Sequence, residues 1–330
     1  MKNKPTVLTV SFALCIFMLF GLSNISNAKY YTFENVINGA QEVPAVVTGG
    51  SGTIKGTYND VTNLISYNII FFGLTGTTSA GHFHGPALAG VNAGVQIGYA
   101  GFPLSVTNGT YTSTSTLTAA QETQLIGGMW YANIHTSFKP GGEIRGQINM
   151  LPVSLNLATL IEGLLVTIDN NNGGHFTLRD TLKVYLRNST SPYAVADSAK
   201  VYFSNSGNSN PVFDNVNPSL SYYIQINHRN SIDTWSKSPV SLLYGSILYN
   251  FILAANKAFG DNLKNVYGCY CLYSGDTNKD AIIDASDLSD IDNNLDVTGY
   301  VKQDLNGDDY VDASDLNICD NNQSVQSATP

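Results

Sequence analysis

Scarcity is the first guide to this sequence. Of 330 residues only 12% are charged, and there are four Cys, four Met, two Trp and five His. So few charges beside a 43% hydrophobic content exclude a solvated acidic polymer, and the length suffices for two or three ordinary cores. Acidic residues outnumber basic ones by 25 to 16, which argues against a nucleic-acid partner held through its phosphates. There is no G-x-S-x-G, no phosphate-binding loop and no paired Glu in a site-like setting, so the expectation is a protein that is not an enzyme. Cysteine is too rare for a disulfide scaffold. Cys15 lies in an N-terminal apolar stretch, and Cys269, Cys271 and Cys319 allow one intrachain bridge at most. Cys269 and Cys271 are too close to pair comfortably with each other. The expected bridge therefore joins Cys271 or Cys269 to Cys319, with three reduced thiols as the alternative. No C-x-x-C pair with a nearby His offers a structural zinc site.

What is present begins with Lys2 and Lys4, an apolar stretch over residues 7–22, and small residues Ser26 and Ala28 at the −3 and −1 positions of a cleavage site. This predicts a signal peptide over residues 1–28 and a protein that is secreted, free or held at the cell surface. No later apolar run is long enough for a membrane span.

Residues 29–151 read as short β-type runs between Gly, Asn and Pro turns, with strands at 51–60, 64–72, 95–99, 109–117, 130–136 and 143–150. The run 64–72 is nearly all apolar after Asn68, which predicts a strand covered on both faces. Thr118 and Gln121 form a capping box for a helix over 119–126. Residues 152–270 form a second stretch, where 182–187 and 222–228 alternate with period two as strands with one wet face do. The fold class is thus mainly β: two consecutive β-sandwich domains ahead of a different C-terminal segment. Residues 253–262 fit a short helix or a loop. His228, Arg229, Asn230 and Trp235 read as solvated loop residues within reach of a glycan. Around Phe213, Asn217, Pro218 and Tyr222 the strand spacing resembles transthyretin-like or carboxypeptidase-regulatory-like sandwiches.

The charge is not spread evenly. Residues 29–275 hold 12 acidic and 12 basic side chains, whereas residues 276–330 hold 13 Asp, no Glu, two Lys and no Arg, a net charge of −11. Within this segment a thirteen-residue pattern starting at Asp276 recurs 28 residues later at Asp304. Each copy sets side-chain oxygens at positions 1, 3, 5, 9 and 12 of a twelve-residue loop: Asp276, Asn278, Asp280, Asp284 and Asp287, then Asp304, Asn306, Asp308, Asp312 and Asp315. Position 7 adds a backbone carbonyl, from Ile282 and Tyr310. Clustered carboxylates repel unless a hard cation neutralises them, so two calcium ions are the expected cofactors. Position 6 needs positive φ and carries Ala281 and Asp309 instead of glycine. Helices over 288–294 and 316–322 are expected after the loops. The pair resembles the loop-helix repeats of dockerin type I modules over 271–330. The resemblance implies an α-helical module with two EF-hand-type loops, recognised by a cohesin or a cell-surface partner through Ala285, Ser286, Ala313 and Ser314, in a setting of polysaccharide breakdown.

The first domain contains Gly81-His82-Phe83-His84-Gly85-Pro86 and, about 50 residues on, Asn133-Ile134-His135-Thr136 ahead of Glu143-Ile144-Arg145. With Gln41-Glu42-Val43-Pro44, these motifs resemble the CHRD domain, an extracellular β-sandwich named from chordin. Strand alternation puts His82 and His84 on one face and Phe83 in the core. If His135 lies on an adjacent strand, three imidazoles converge in a manner that suits copper or zinc. The H-x-H strand is superficially similar to the copper ligands of Cu/Zn superoxide dismutase, but that enzyme's bridging His and zinc Asp cluster are missing. The alternative is a buried polar network of His82, His84, His135, Glu143 and Arg145 that fixes strand register. The function expected is that of a secreted, non-catalytic binding or adhesion protein with a calcium-binding C-terminus; a copper- or zinc-binding metalloprotein is the competing class.

Overall fold

The computed structural model describes residues 28–169, 173–176, 180–242 and 246–330. The expected signal peptide lies outside the described residues but for Ala28. Mostly antiparallel strands build the first unit: β1 (Tyr30–Asn38), β2 (Ser51–Asn59), β3 (Leu64–Phe72), β4 (Thr78–His84), β5 (Val95–Gly98), β6 (Gly109–Thr116), β7 (Tyr131–Thr136) and β8 (Ile144–Gln147), with helix α1 (Ala119–Ile126) before β7. Their order is β5-β4-β7-β8-β1-β2-β3-β6. The sheet folds over on itself, because rings from distant strands meet: Tyr67 on β3 packs on Phe83 of β4 at 4.8 Å, and Tyr111 on β6 packs on Tyr99 just past β5 at 5.4 Å. Phe33, Ile54, Ile69, Phe83, Trp130 and Ile144 sit in the core between the layers. Helix α1 starts where its capping box places it: Thr118 and Gln121 bond reciprocally.

Two expectations fail here. Strand β3 is not covered on both faces: Ile65, Tyr67, Ile69 and Phe71 are buried, whereas Ile70 is 39% and Phe72 54% exposed. Its outer side chains are Leu64, Ser66, Asn68, Ile70 and Phe72, so the apolar end of the run is a wet face and the period-two pattern is intact. Strand β1 was not anticipated at all. It pairs with β2 along its whole length and, on its other edge, with β8 and with Leu151 and Pro152.

Strand β9 (Leu151–Ala158) joins the units. It meets β1 at Thr32 and Leu151, then runs on into a second core, where β19 (Ser246–Asn250) pairs with it in parallel. The intervening strands are β10 (Leu165–Asp169), β11 (Gly173–Phe176), β12 (Thr181–Asn188), β13 (Val195–Tyr202), β14 (Asn208–Ser209), β15 (Val212–Phe213), β16 (Ser221–His228), β17 (Ser231–Trp235) and β18 (Val240–Ser241). One layer is β9 with β14, β15 and β19; the other is β13-β12-β16-β17 with β18 on β16. Val153, Leu155 and Leu157 alternate inward from β9 against Leu182, Val184 and Leu186 of β12 and Ile224 and Ile226 of β16. Residues 253–262, left open by the sequence, fall into short 3-10 turns. The hairpin β20 (Lys264–Val266) and β21 (Cys269–Cys271) leads to the C-terminal module.

That module holds α2 (Ala285–Asp292) and α3 (Ala313–Asp320). Both begin three residues earlier than expected, because the position-9 carboxylates Asp284 and Asp312 cap them and the position-12 carboxylates already lie in the first turn. Loop residue Ile283 exchanges backbone bonds with Ser324 and Val325 after α3, and Val311 does so with Asp296 and Val297 after α2. Each loop is thereby closed by the segment that trails the other repeat's helix. Ile283, Ile291, Leu305, Val311 and Cys319 form a third core, completed by Ile232 from β17.

The expected disulfide does not form. Cys271 is buried in the second core and Cys319 in the third, and among the described residues Cys269, Cys271 and Cys319 are all free thiols. Burial, with nearby carboxylates adding, pushes the Cys271 and Cys319 thiols up to about 12, far from reactive. No helix among the described residues is long and apolar enough to cross a membrane.

Candidate metal centres

The pairing of β4 with β7 sets His82 opposite Asn133, His84 opposite Tyr131 and Ala80 opposite His135. Residues opposite one another share a face. Phe83, between the two histidines of β4, turns inward with Ala132 and Ile134 of β7. The rings of His82, His84 and His135 then stand 4.9 to 5.6 Å apart, and one nitrogen from each lies within 4.8 Å of the others. His84 Nδ1 lies 3.0 Å from the Ala93 carbonyl and His135 Nδ1 2.9 Å from the Pro140 carbonyl. A carbonyl only accepts, so each Nδ1 carries the proton and each Nε2 keeps its lone pair. His84 Nε2, His135 Nε2 and His82 Nδ1 are all buried without a hydrogen-bond partner. Burial lowers the pKa of all three. The neighbouring imidazoles depress His82 further, the Arg145 charge adds at His84, and the two carbonyl bonds oppose the shift. The trio is therefore neutral at neutral pH.

Glu143 and Arg145 do not join it. Glu143 accepts from the Thr48 hydroxyl at 2.5 Å, the Thr75 amide at 2.6 Å, the Gly76 amide at 3.2 Å and the Thr136 hydroxyl at 2.6 Å. Its burial would raise the pKa, but these four donors together hold it below the usual carboxylate value. It pins the loop before β4 to the end of β7. Arg145 stacks its guanidinium 3.4 Å over the Tyr131 ring, which itself stacks on His84 at 5.0 Å, and donates to Val91, Asn92 and Gln147. The single polar network expected of five residues is thus two separate arrangements. Sequence reasoning passed over Glu42, buried beside Asn133 and Arg145. Burial lifts its carboxyl to about 7 against the pull of both neighbours. The Gln41-Glu42-Val43-Pro44 motif marked the place but not the chemistry.

In the C-terminal loops the two copies match almost bond for bond. Asn278 and Asn306 Oδ1 accept from the amides of Asp280 and Asp308 at 2.8 Å, and Asp280 and Asp308 Oδ1 accept from those of Ile282 and Tyr310 at 3.0 Å. Asp287 and Asp315 are fully buried at position 12, where each caps its own helix and also accepts amides from its loop's start. Position 6 has the positive φ that the sequence demanded: Ala281 at 75° and Asp309 at 66°. Asp276 and Asp304 are each 1% exposed at position 1. Asp276 Oδ1 has no partner, and its carboxyl is pushed up to about 6 by burial, with Lys279 opposing and Asp287 adding. Burial raises Asp304 and Asp315 as well. Buried carboxylates short of a counter-charge, in an all-oxygen loop, fit a hard divalent cation. Ala285, Ser286, Ala313 and Ser314 are all exposed, with the two hydroxyls donating to Asp284 and Asp312 at 2.7 and 2.6 Å.

The residues read as solvated loop are instead the anchor of this module. Asn230 is fully buried and donates to the carbonyls of Lys302 and Asp304 at 3.1 and 3.0 Å. His228 Nε2 and Arg229 Nε both reach Asp180 at 3.0 Å, Tyr300 donates to the same carboxylate, and Arg229 also donates to the Val301 carbonyl. Trp235 is buried on β17 against Tyr193 and Tyr223 and is not free to stack on a sugar.

The match that bears on the first unit is specific in place. Residues 33–148 match the CHRD domain family. All of β2 through β8, and so all three histidines, fall inside the matched residues. No curated protein matches the chain. Among solved structures, a chain of the type II Cohesin-X-Dockerin complex from Acetivibrio cellulolyticus, an N-terminal interface mutant, is 14% identical with a TM-score of 0.30, covering 53% of this chain and 97% of that one. At that score the likeness carries no argument about fold or partner.

Proposed function

We propose that this is an extracellular, non-catalytic binding protein in which a CHRD domain and a second β unit are carried on a C-terminal module that binds two calcium ions. The observation that supports it most is the pair of near-identical loops with buried first-position carboxylates, one of whose oxygens, Asp276 Oδ1, has no partner. Calcium supplies the charge and coordination that these oxygens lack. The chain's residues do the rest: Asn278, Asp280, Asp284 and Asp287, and their counterparts Asn306, Asp308, Asp312 and Asp315, shape the loop through backbone bonds and start the helix that follows. The exposed pairs Ala285-Ser286 and Ala313-Ser314, related by the repeat, are the surface offered to a cohesin-like or cell-surface partner, in keeping with the dockerin-like pattern of the loops.

Because Ile232 and Asn230 of the second unit complete the module, the test uses the whole chain after its leader. Thermal unfolding in calcium and in chelator should differ, and the paired variant Asp276→Ala/Asp304→Ala should abolish the difference. A chain whose melting is unaffected by calcium or by the paired variant contradicts the calcium reading. Capture by immobilised cohesin that needs Ser286 and Ser314 supports the docking role, and no retention in calcium by cohesins or cell-wall fractions contradicts it.

A further inference from the structure

We infer that His82, His84 and His135 form a binding site for one late first-row transition-metal ion, copper or zinc, on the outer face of the β4–β7 pair in the CHRD domain. The inference is independent of the calcium loops, whose donors are all oxygen and which belong to a different module.

Three observations carry it. The first is convergence: three nitrogens lie within 4.8 Å of one another, contributed by two paired strands whose register fixes them. Three nitrogens at about 2.0–2.1 Å from a common ion stand about 3.3–3.6 Å apart, so closure needs side-chain shifts of about an ångström and no backbone change. The second is preparation. Carbonyls of Ala93 and Pro140 hold the Nδ1 protons of His84 and His135, which aims two Nε2 lone pairs inward; a backbone carbonyl on the far nitrogen is the usual orienting partner of a metal-bound imidazole. The third is the lack of any other occupant. All three inward nitrogens are buried and unpartnered, His84 in a side chain only 8% exposed. A hydrogen-bonded network would need donors facing them: Arg145 donates instead to Val91, Asn92 and Gln147 and stacks on the Tyr131 ring, Glu143 is an acceptor bonded to Thr48, Thr75, Gly76 and Thr136, and Asn133, opposite His82, bonds Glu42.

The donor set selects the ion class. Neutral imidazoles without a carboxylate or thiolate suit copper and zinc and suit calcium or magnesium poorly. His82 and His135 are half-buried while His84 is buried, and a groove lined by Ser79, Ala80, Gly98 and Leu104 reaches His82. Three protein ligands leave a fourth position for water or a small ligand.

The test titrates the metal-free whole chain with Cu(II) and, separately, Zn(II) in saturating calcium, so that the loops are already filled. The expected result is one ion per chain, with Cu(II) paramagnetic resonance showing nitrogen coupling from imidazoles. Affinity should fall at least about tenfold in His82→Gln and again in His82→Gln/His135→Gln, and should not change in Asp276→Ala/Asp304→Ala. Should a variant not fold, X-ray absorption on the wild-type copper or zinc complex decides, because three imidazoles at about 2.0 Å are required. Binding of neither ion, binding that survives both histidine substitutions, or an absorption spectrum of oxygen ligands alone overturns the inference. A site of water bridging the three nitrogens would give the first of these results.

Discussion

Lys279 Nζ stands 3.6 Å from Asp276 Oδ2, the first carboxylate of the first acidic loop, and 3.0 Å from Asp233 Oδ1 on β17. It also donates to the Ser231 carbonyl at 2.6 Å. A cation at loop position 4 thus ties the module to the second unit and partly offsets the charge that an ion would neutralise. The second loop has Gly307 at this position and no such cation. Lys279→Met should therefore raise calcium affinity at the first loop by roughly three- to tenfold. In chelator the same variant should melt lower, since Asp233 and Asp276 lose a partner. Calcium titration of both proteins checks this; equal affinities contradict it.

The buried loop carboxylates set a pH dependence. Asp276 holds its proton up to about 6 in the folded chain against 3.8 when free, chiefly through burial. A carboxyl raised on folding contributes stability that is complete below its unfolded value and is lost as pH rises through the folded one. In chelator, Asp276→Asn should remove this loss, so that the variant gains on wild type as pH rises from 3.8 to about 6 and keeps that gain above it. In calcium the order reverses, because the ion needs the ionised carboxylate. Melting curves at two pH values, with and without chelator, give both signs.

Glu143 makes the opposite case. Its pKa is held below 4.5 by four donors despite burial, so its contribution is present above that value and lost as pH falls through the folded pKa. Glu143→Ala leaves two Thr hydroxyls and two amides without their acceptor and should cost about 2–4 kcal/mol. Acid unfolding should shift accordingly. Copper or zinc affinity should not, since Glu143 makes no bond to the histidines.

Backbone conformation gives a paired prediction. Ala281 at φ 75° bears a Cβ in left-handed space, whereas Gly307 at φ 73° does not. Ala281→Gly should stabilise and Gly307→Ala destabilise, each by about 1 kcal/mol. Equal and opposite changes in denaturant midpoint at constant slope are the signature.

The sequence was most informative where chemistry repeats locally. The H-x-H alternation and the α1 capping box are short-range patterns and are built as read; the two acidic loops have the positive φ at position 6 that the pattern demands, with helices that start three residues earlier. What it could not supply was register between distant strands. His135 joins His82 and His84 because Ala80 pairs with it, and Glu143 misses them because the chain bends before β8 and turns its carboxylate toward Thr48 and Thr136. Sequence leaves Cys271 or Cys269 as the partner of Cys319, yet Cys271 and Cys319 fill two different cores. Asn230 and His228 looked like loop polarity because nothing local announces that a module 70 residues away will cover them. The same holds for β9, whose residues alternate like any strand while its partners come from four separate stretches of chain.

Whether the C-terminal loops hold calcium is decided by calorimetric titration of chelator-treated residues 29–330: uptake of two calcium ions per chain is expected, reduced to one by Asp304→Ala. Absence of binding heat, with the same melting temperature in calcium and in chelator, would contradict it.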